Sequence, residues 1–211
     1  MQAWGKIMKV SLINSDVRGC SVTKKYNTHP VCVTQLNEGM RAQKPDRVDF
    51  SFGVNVSHFI KVDNLLYRSS KPTLEQLNEL MLNDKPVKYI IDLSFPHEKV
   101  LGKSYTKSEA EALGFEYHNF PFMSYENPSE AIIYAFFAVI DKAKSEGKKV
   151  LVHCLHGRDR TGLMVELYKI KNSLSNAEDS IQTLTLGKYR FSSNPLARNL
   201  LESFESECFK K

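Results

Sequence analysis

Apolar positions change period several times along the chain, and each change marks an element. Val87–Leu93 is a short, nearly continuous apolar run ending around Asp92 and Ser94, the pattern of a buried strand. Lys148–Val152 is another, and it runs straight into His153 and Cys154. Phe50–Val56, Phe59–Tyr67 and Phe115–Phe122 read as further strands, the second with partial alternation. Between them the spacing turns helical. Leu74, Leu77, Leu80 and Met81 follow Thr73, whose partner Gln76 completes a capping box, and Pro86 lies beyond the helix. Thr106 with Glu109 opens a short helix that Gly114 stops. After Pro128 and Ser129, Ala131–Ala143 is apolar on nearly every face, which predicts a helix buried in the body of the domain. Leu163, Met164, Leu167, Tyr168 and Ile170 mark one face of the next helix. Ser175 with Glu178 caps a helix carrying Ala177, Ile181 and Leu184, with Gly187 as its stop. Leu196, Leu200, Phe204 and Cys208 mark a final amphipathic helix.

Strands alternating with helices, followed by a run of helices, predict an α/β fold with a mostly parallel central sheet flanked by helices. In such folds ligands sit beyond the carboxyl ends of the strands, where the 148–152 strand delivers Cys154. The regular pattern starts near residue 46, so 46–211 is read as the domain. Residues 1–45, which mix Gly, Asn, Lys and Thr with isolated apolar residues, are read as an N-terminal extension, either carrying a strand or two or forming a partly mobile arm.

Composition narrows the picture modestly. With 211 residues and a formal charge of +5, the chain suits one soluble domain with a mildly basic surface, compatible with an acidic substrate. The lysines are scattered without a basic stripe interleaved with aromatics, so no nucleic-acid partner is expected. The four cysteines (Cys20, Cys32, Cys154 and Cys208) form no C-x-x-C pair, which argues against a zinc site or a disulfide framework and for a reducing, cytoplasmic setting. The longest apolar run, Ala131–Ile140, is too short to span a bilayer. Val10–Ile13 is too brief for a secretory signal, although export without a cleaved signal stays open.

The chemistry concentrates in His153-Cys154-Leu155-His156-Gly157-Arg158-Asp159-Arg160-Thr161-Gly162. A strand ends, a short loop follows, and a helix begins near Arg160. If the loop curls, the N–H groups of residues 155–160 form an anion nest, reinforced by the helix N-terminus. Gly157 permits a backbone shape that other residues resist. Arg160 can grip two phosphate oxygens at once. The same positive surroundings favour a thiolate at Cys154. The loop thus joins a nucleophile to a phosphate cradle.

Cys154 through Thr161 match the C-x5-R-S/T signature of the protein tyrosine phosphatase superfamily, with the usual preceding His153 and following Gly162. The form HCLHGRDRTG resembles bacterial and atypical dual-specificity phosphatases. Leu66-Tyr67-Arg68-Ser69-Ser70-Lys71-Pro72 is similar to the Y-R-S/G-x-x-P segment of those enzymes, and the resemblance spans about residues 46–211. It implies a phosphatase fold and hydrolysis through a phosphocysteine without metal or other cofactor. Cys154 would attack phosphorus, and Arg160 with the N–H groups from Leu155 to Arg160 would hold the oxygens. Thr161 would hydrogen-bond the sulfur. His153 either orients the loop or is a core histidine.

The proton donor is less legible. The family usually supplies an aspartate from a loop before the nucleophile strand, but Pro121–Pro128 contains none, and Glu126 is its sole carboxylate. Asp159, inside the phosphate loop, is the other candidate, either as acid or as a brace of the loop. His156 and Arg158 add positive charge and suit a multiply phosphorylated substrate. The resemblance implies phosphorylated proteins as substrates, phosphotyrosine foremost with phosphoserine and phosphothreonine as further targets, while His156, Arg158 and Asp159 point to the alternative of phosphoinositides and inositol phosphates. A phosphate-binding pseudophosphatase is the reading from a different class. An exposed, activated thiolate at Cys154 would also be sensitive to peroxide.

Overall fold

The computed structural model describes residues 59–81, 87–98, 104–186 and 195–210. The predicted strand 50–56, the extension, Cys20, Cys32 and Gly187 lie outside them. Strand β1 (Ile60–Lys61) leads into β2 (Leu66–Ser70), helix α1 (Leu74–Met81), β3 (Val87–Asp92), α2 (Lys107–Ala112), β4 (Glu116–Asn119), α3 (Glu130–Ser145) and β5 (Lys149–Cys154). Helices α4 (Asp159–Lys171), α5 (Ala177–Leu186) and α6 (Pro195–Cys208) complete the order. The sheet runs β1-β2-β5-β3-β4, with every pair parallel except the short antiparallel β1–β2 edge. The expected mostly parallel α/β architecture is what forms.

Alternation sorts the strand side chains onto two cores. Leu66, Tyr89, Ile91, Val150 and Val152 face α3–α6. Tyr67, Val87, Ile90 and Leu151 face the α1–α2 side. Val87 and Ile90 share a face despite their odd spacing because the pairing register shifts between Val87 and Tyr89, as a bulge does. The rings of Phe137 and Phe204 stack 5.7 Å apart and join α3 to α6.

Several predicted elements need correction. Phe59–Tyr67 is not one strand: Asp63 accepts from the N–H groups of Leu65 and Leu66 at 2.8 Å each and folds the segment into a turn between β1 and β2. Phe115–Phe122 contributes only β4. The Thr73–Gln76 and Thr106–Glu109 boxes both form. At α5, however, the cap falls one residue later than Ser175, because Asn176 Oδ1 accepts from Asp179 N at 2.8 Å. The helix apolar all round, α3, is a surface helix with Tyr134 49% exposed. The central helix is instead α4: ten of its 13 residues are buried, between the sheet and helices α5 and α6. Burial there reaches polar positions such as Thr161 and Glu166, so hydropathy alone marks only one of its faces.

Candidate active site

The central strand β5 carries Cys154 to the carboxyl edge of the sheet, opposite Ser70 of β2. The chain then turns through residues 155–158 and enters α4 at Asp159. Gly157 takes φ +68°, and a Cβ there would lie 2.4 Å from the backbone of Ser69 and Ser70. Only glycine fits both the conformation and the contact. No side chain caps α4 at Arg158, and a helix N-terminus of this kind suits an anion.

Arg160 is buried, and its guanidinium interacts electrostatically with Cys154. Its Nη1 and Nη2 donate to the Glu98 carboxylate at 2.6 and 2.9 Å. Nη1 also reaches the carbonyls of Leu93, at 3.3 Å, and Phe122, at 3.4 Å. Burial alone would lower the guanidinium pKa, but Glu98 and Cys154 outweigh it and raise it. In return Arg160 and the Phe95 N–H hold the Glu98 carboxyl below the ordinary range, against the upward push of burial. Glu98 Oε2 accepts from Phe95 N at 2.7 Å, so the 95–98 turn is knotted onto the arginine. Two buried polar atoms at the start of α4 have no partner, Arg160 Nε and Thr161 Oγ1, so the expected hydrogen bond from Thr161 to the sulfur is not made. Such groups are costly when unsatisfied, and a phosphate oxygen at the loop would suit the Arg160 N–H.

Behind the loop lies a buried polar network. His153 is wholly buried; its Nε2 shares a hydrogen bond with the Tyr105 hydroxyl, and its Nδ1 lies 3.7 Å from Asp92 Oδ1. Asp92 Oδ2 accepts from Lys71 Nζ at 3.1 Å and from the Tyr117 hydroxyl at 3.0 Å. Oδ1 accepts from both the N–H and the hydroxyl of Ser94. Burial holds the His153 imidazole below its ordinary pKa, against the pull of Asp92. For Asp92, burial pushes up, but His153, Lys71 and Ser94 together keep it below the carboxylate range.

The structure thus brings together Cys154, Gly157, Arg160, Thr161 and His153. Cys154 is only 2% exposed, so the expected exposed thiol is enclosed: β2, β3 and α4 surround it. His156 is exposed, while Leu155, Arg158 and Asp159 are half-buried. Glu126 is exposed in a tight turn, its N–H on the Met123 carbonyl at 3.2 Å. Glu98, Asp92 and Tyr105 were not anticipated as site residues. Glu98 carries no local signal, because its partner stands 62 positions away. Among the described residues, Cys154 and Cys208 are free thiols, and no group of three or more His, Cys, Asp or Glu side chains is placed to hold a metal ion. No described helix is long and apolar enough to cross a membrane.

The sequence profile of the dual specificity phosphatase catalytic domain matches residues 66–206. The chain belongs to that family, and with it to the metal-independent cysteine phosphatases of the protein tyrosine phosphatase superfamily. No curated protein sequence matches the chain significantly. Among solved structures it is similar to PTPMT1 in complex with PI(5)P, at 22% identity and a TM-score of 0.60, over 72% of this chain and 97% of that one. The active form of Tk-PTP aligns at 20% identity and a TM-score of 0.58, over 69% and 95% of the two chains. TpbA of P. aeruginosa in complex with pTyr aligns at 18% identity and a TM-score of 0.54, over 76% and 94%. At these identities the likeness is one of fold.

Proposed function

We propose that the chain hydrolyses phosphomonoesters through a phosphocysteine on Cys154, with phosphotyrosine proteins as its first substrates and other phosphomonoesters accepted. The observation that carries this reading is the Arg160 guanidinium, six positions after Cys154, buried and fixed by the Glu98 carboxylate, with its Nε–H unpartnered. In the first step the thiolate attacks in line, forming the S–P bond as the P–O bond to the leaving group breaks. Arg160 and the N–H groups of residues 155–160 hold the equatorial oxygens, where charge accumulates. Glu126 gives its proton to the leaving oxygen. This role is given to Glu126 and not Asp159 because a leaving group departs away from the loop that holds the phosphate, and the Glu126 segment is joined to Arg160 from outside that loop through the Phe122 carbonyl. In the second step water attacks phosphorus, Glu126 takes its proton, and the S–P bond breaks to release phosphate and regenerate the thiolate.

A second reading is a phosphoinositide or inositol phosphate substrate. The exposed His156 and half-buried Arg158 on the loop favour it, and PTPMT1, which shares the fold, was solved with PI(5)P. The test of the mechanism is hydrolysis of an aryl phosphate in EDTA by wild type and Cys154→Ser. Activity that survives EDTA and vanishes in the variant is expected. A wild type that binds orthovanadate but hydrolyses neither aryl phosphate, phosphopeptide nor inositol phosphate would overturn it in favour of a pseudophosphatase. A large kcat/KM preference for inositol phosphates over phosphotyrosine peptides would move the substrate to the second reading.

A further inference from the structure

The end of β2 meets the phosphate loop at several points. Ser70 pairs with Cys154 in parallel register. The Lys71 N–H donates to the Leu155 carbonyl at 3.2 Å. The Arg68 guanidinium, itself 6% exposed, donates from Nη2 to the Gly157 carbonyl at 2.7 Å. Gly157 lies directly against the Ser69–Ser70 backbone. In a trans peptide the C=O and the following N–H point in opposite directions. Drawing the Leu155 and Gly157 carbonyls toward β2 therefore turns the His156 and Arg158 N–H groups away from it.

We propose that Arg68 is a positioning residue of the phosphate loop: by holding the Gly157 carbonyl, it aims the Arg158 N–H at the phosphate seated in front of Cys154. The inference rests on the phosphate-binding reading of the loop, though not on turnover. The Gly157 carbonyl needs an anchor because glycine, lacking a Cβ, restrains rotation of the peptide beyond it less than other residues do. With the carbonyl turned inward, an acceptor oxygen would face the anion in place of a donor. A neutral donor in place of the guanidinium would hold the peptide less firmly, since charge-assisted hydrogen bonds are roughly twice as strong. Arg68 acts from behind the loop and does not touch the substrate.

The test compares wild type with Arg68→Met, which keeps length and loses the donor, and Arg68→Lys, which keeps one charged donor. The readouts are kcat/KM for two aryl phosphates of good and poor leaving group, the inhibition constant for orthovanadate, and Tm. A single donor aimed at transition-state oxygens is worth about 100- to 1,000-fold when removed. Misdirecting one is expected to cost about 10- to 100-fold, equally for both leaving groups, with a parallel rise in the orthovanadate constant. Arg68→Lys should recover about half of that loss on a logarithmic scale. Leu184→Ala, a core truncation in α5, serves as control: it lowers Tm but leaves the orthovanadate constant within about twofold of wild type. The proposal fails if Arg68→Met keeps both constants within about twofold, or if Leu184→Ala weakens orthovanadate as much. Should Arg68→Met not fold, Arg68→Lys decides, with a loss of about threefold or more in both constants supporting the proposal and wild-type constants overturning it. If wild type hydrolyses nothing but still binds orthovanadate in an Arg68-dependent way, the catalytic reading falls and the positioning role stands.

Discussion

The two sides of the phosphate loop are built differently. Behind it, Arg68, Lys71, Asp92, Tyr105 and His153 form a buried set with hydrogen bonds in several directions, all on or beside the strands. In front of it, the 95–98 and 121–128 segments are turns whose tips are exposed; Tyr125 is 57% and Met123 41% accessible. The two front segments reach the site through one residue, Arg160, by way of the Glu98 carboxylate and the Phe122 carbonyl. The rear can thus hold a fixed array of donors, which must be set before substrate arrives because reorganising dipoles during the reaction costs rate. The front has to accommodate a leaving group of variable shape, and loops carried on a rigid scaffold suit that task.

That contrast can be broken most sharply at its hinge. Arg160→Lys removes the fork that serves both sides, and a fall of about 1,000-fold in kcat/KM toward an aryl phosphate is expected, since a lysine cannot span two oxygens and Glu98 at once. Steady-state kinetics check it, and a loss below tenfold would mean that the guanidinium is not the clamp. On the front side, Glu126→Gln should cost about 100-fold with a poor leaving group and far less with a good one. Asp159→Asn should cost less than tenfold with either. The reverse ranking would move the proton donor into the loop.

Glu98→Gln keeps an acceptor but loses the charge on the arginine, and a fall of about tenfold in kcat/KM is expected. It should be accompanied by weaker orthovanadate binding, because the guanidinium plane is no longer fixed. Tighter orthovanadate binding would instead mark Glu98 as a competitor for the arginine.

The smallest effect is on stability against pH, and it belongs to the rear. The folded His153 has a lowered pKa, so the unfolded chain binds the proton first. Stability should therefore begin to fall as pH drops below the unfolded imidazole value of about 6.5, and level off below the folded one. The depressed carboxyls of Asp92 and Glu98 act in a lower window: their contribution is present above the unfolded value of about 4 and is lost as pH falls through the folded values. Thermal melts from pH 7 to pH 3 of wild type and His153→Gln separate the two. A variant that retains the loss between pH 6.5 and 5 would place it elsewhere than His153.

Much of the frame was legible in the chain. The buried strands around 87–93 and 148–152, both Thr capping boxes and the Cys154–Gly162 loop rest on local rules, in which a few adjacent residues fix backbone shape. The misreadings have a common cause. Helix α3 looks central by hydropathy and lies on the surface, whereas α4 carries Thr161 and Glu166 and is enclosed. The position of a helix in the layers depends on what covers it, which its own sequence does not encode.

The same division runs through the site. Sequence alone determined the nucleophile candidate, the arginine six positions beyond it and the glycine between them, because a strand–loop–helix turn around an anion needs those types at that spacing. Tertiary structure decided the rest. It brought Glu98 to Arg160 across 62 positions and Arg68 to Gly157 across 89. It also enclosed the Cys154 sulfur and left His156 open. These pairings join residues on separate elements, so they come into being only when the sheet order β2-β5-β3 sets three strand ends side by side.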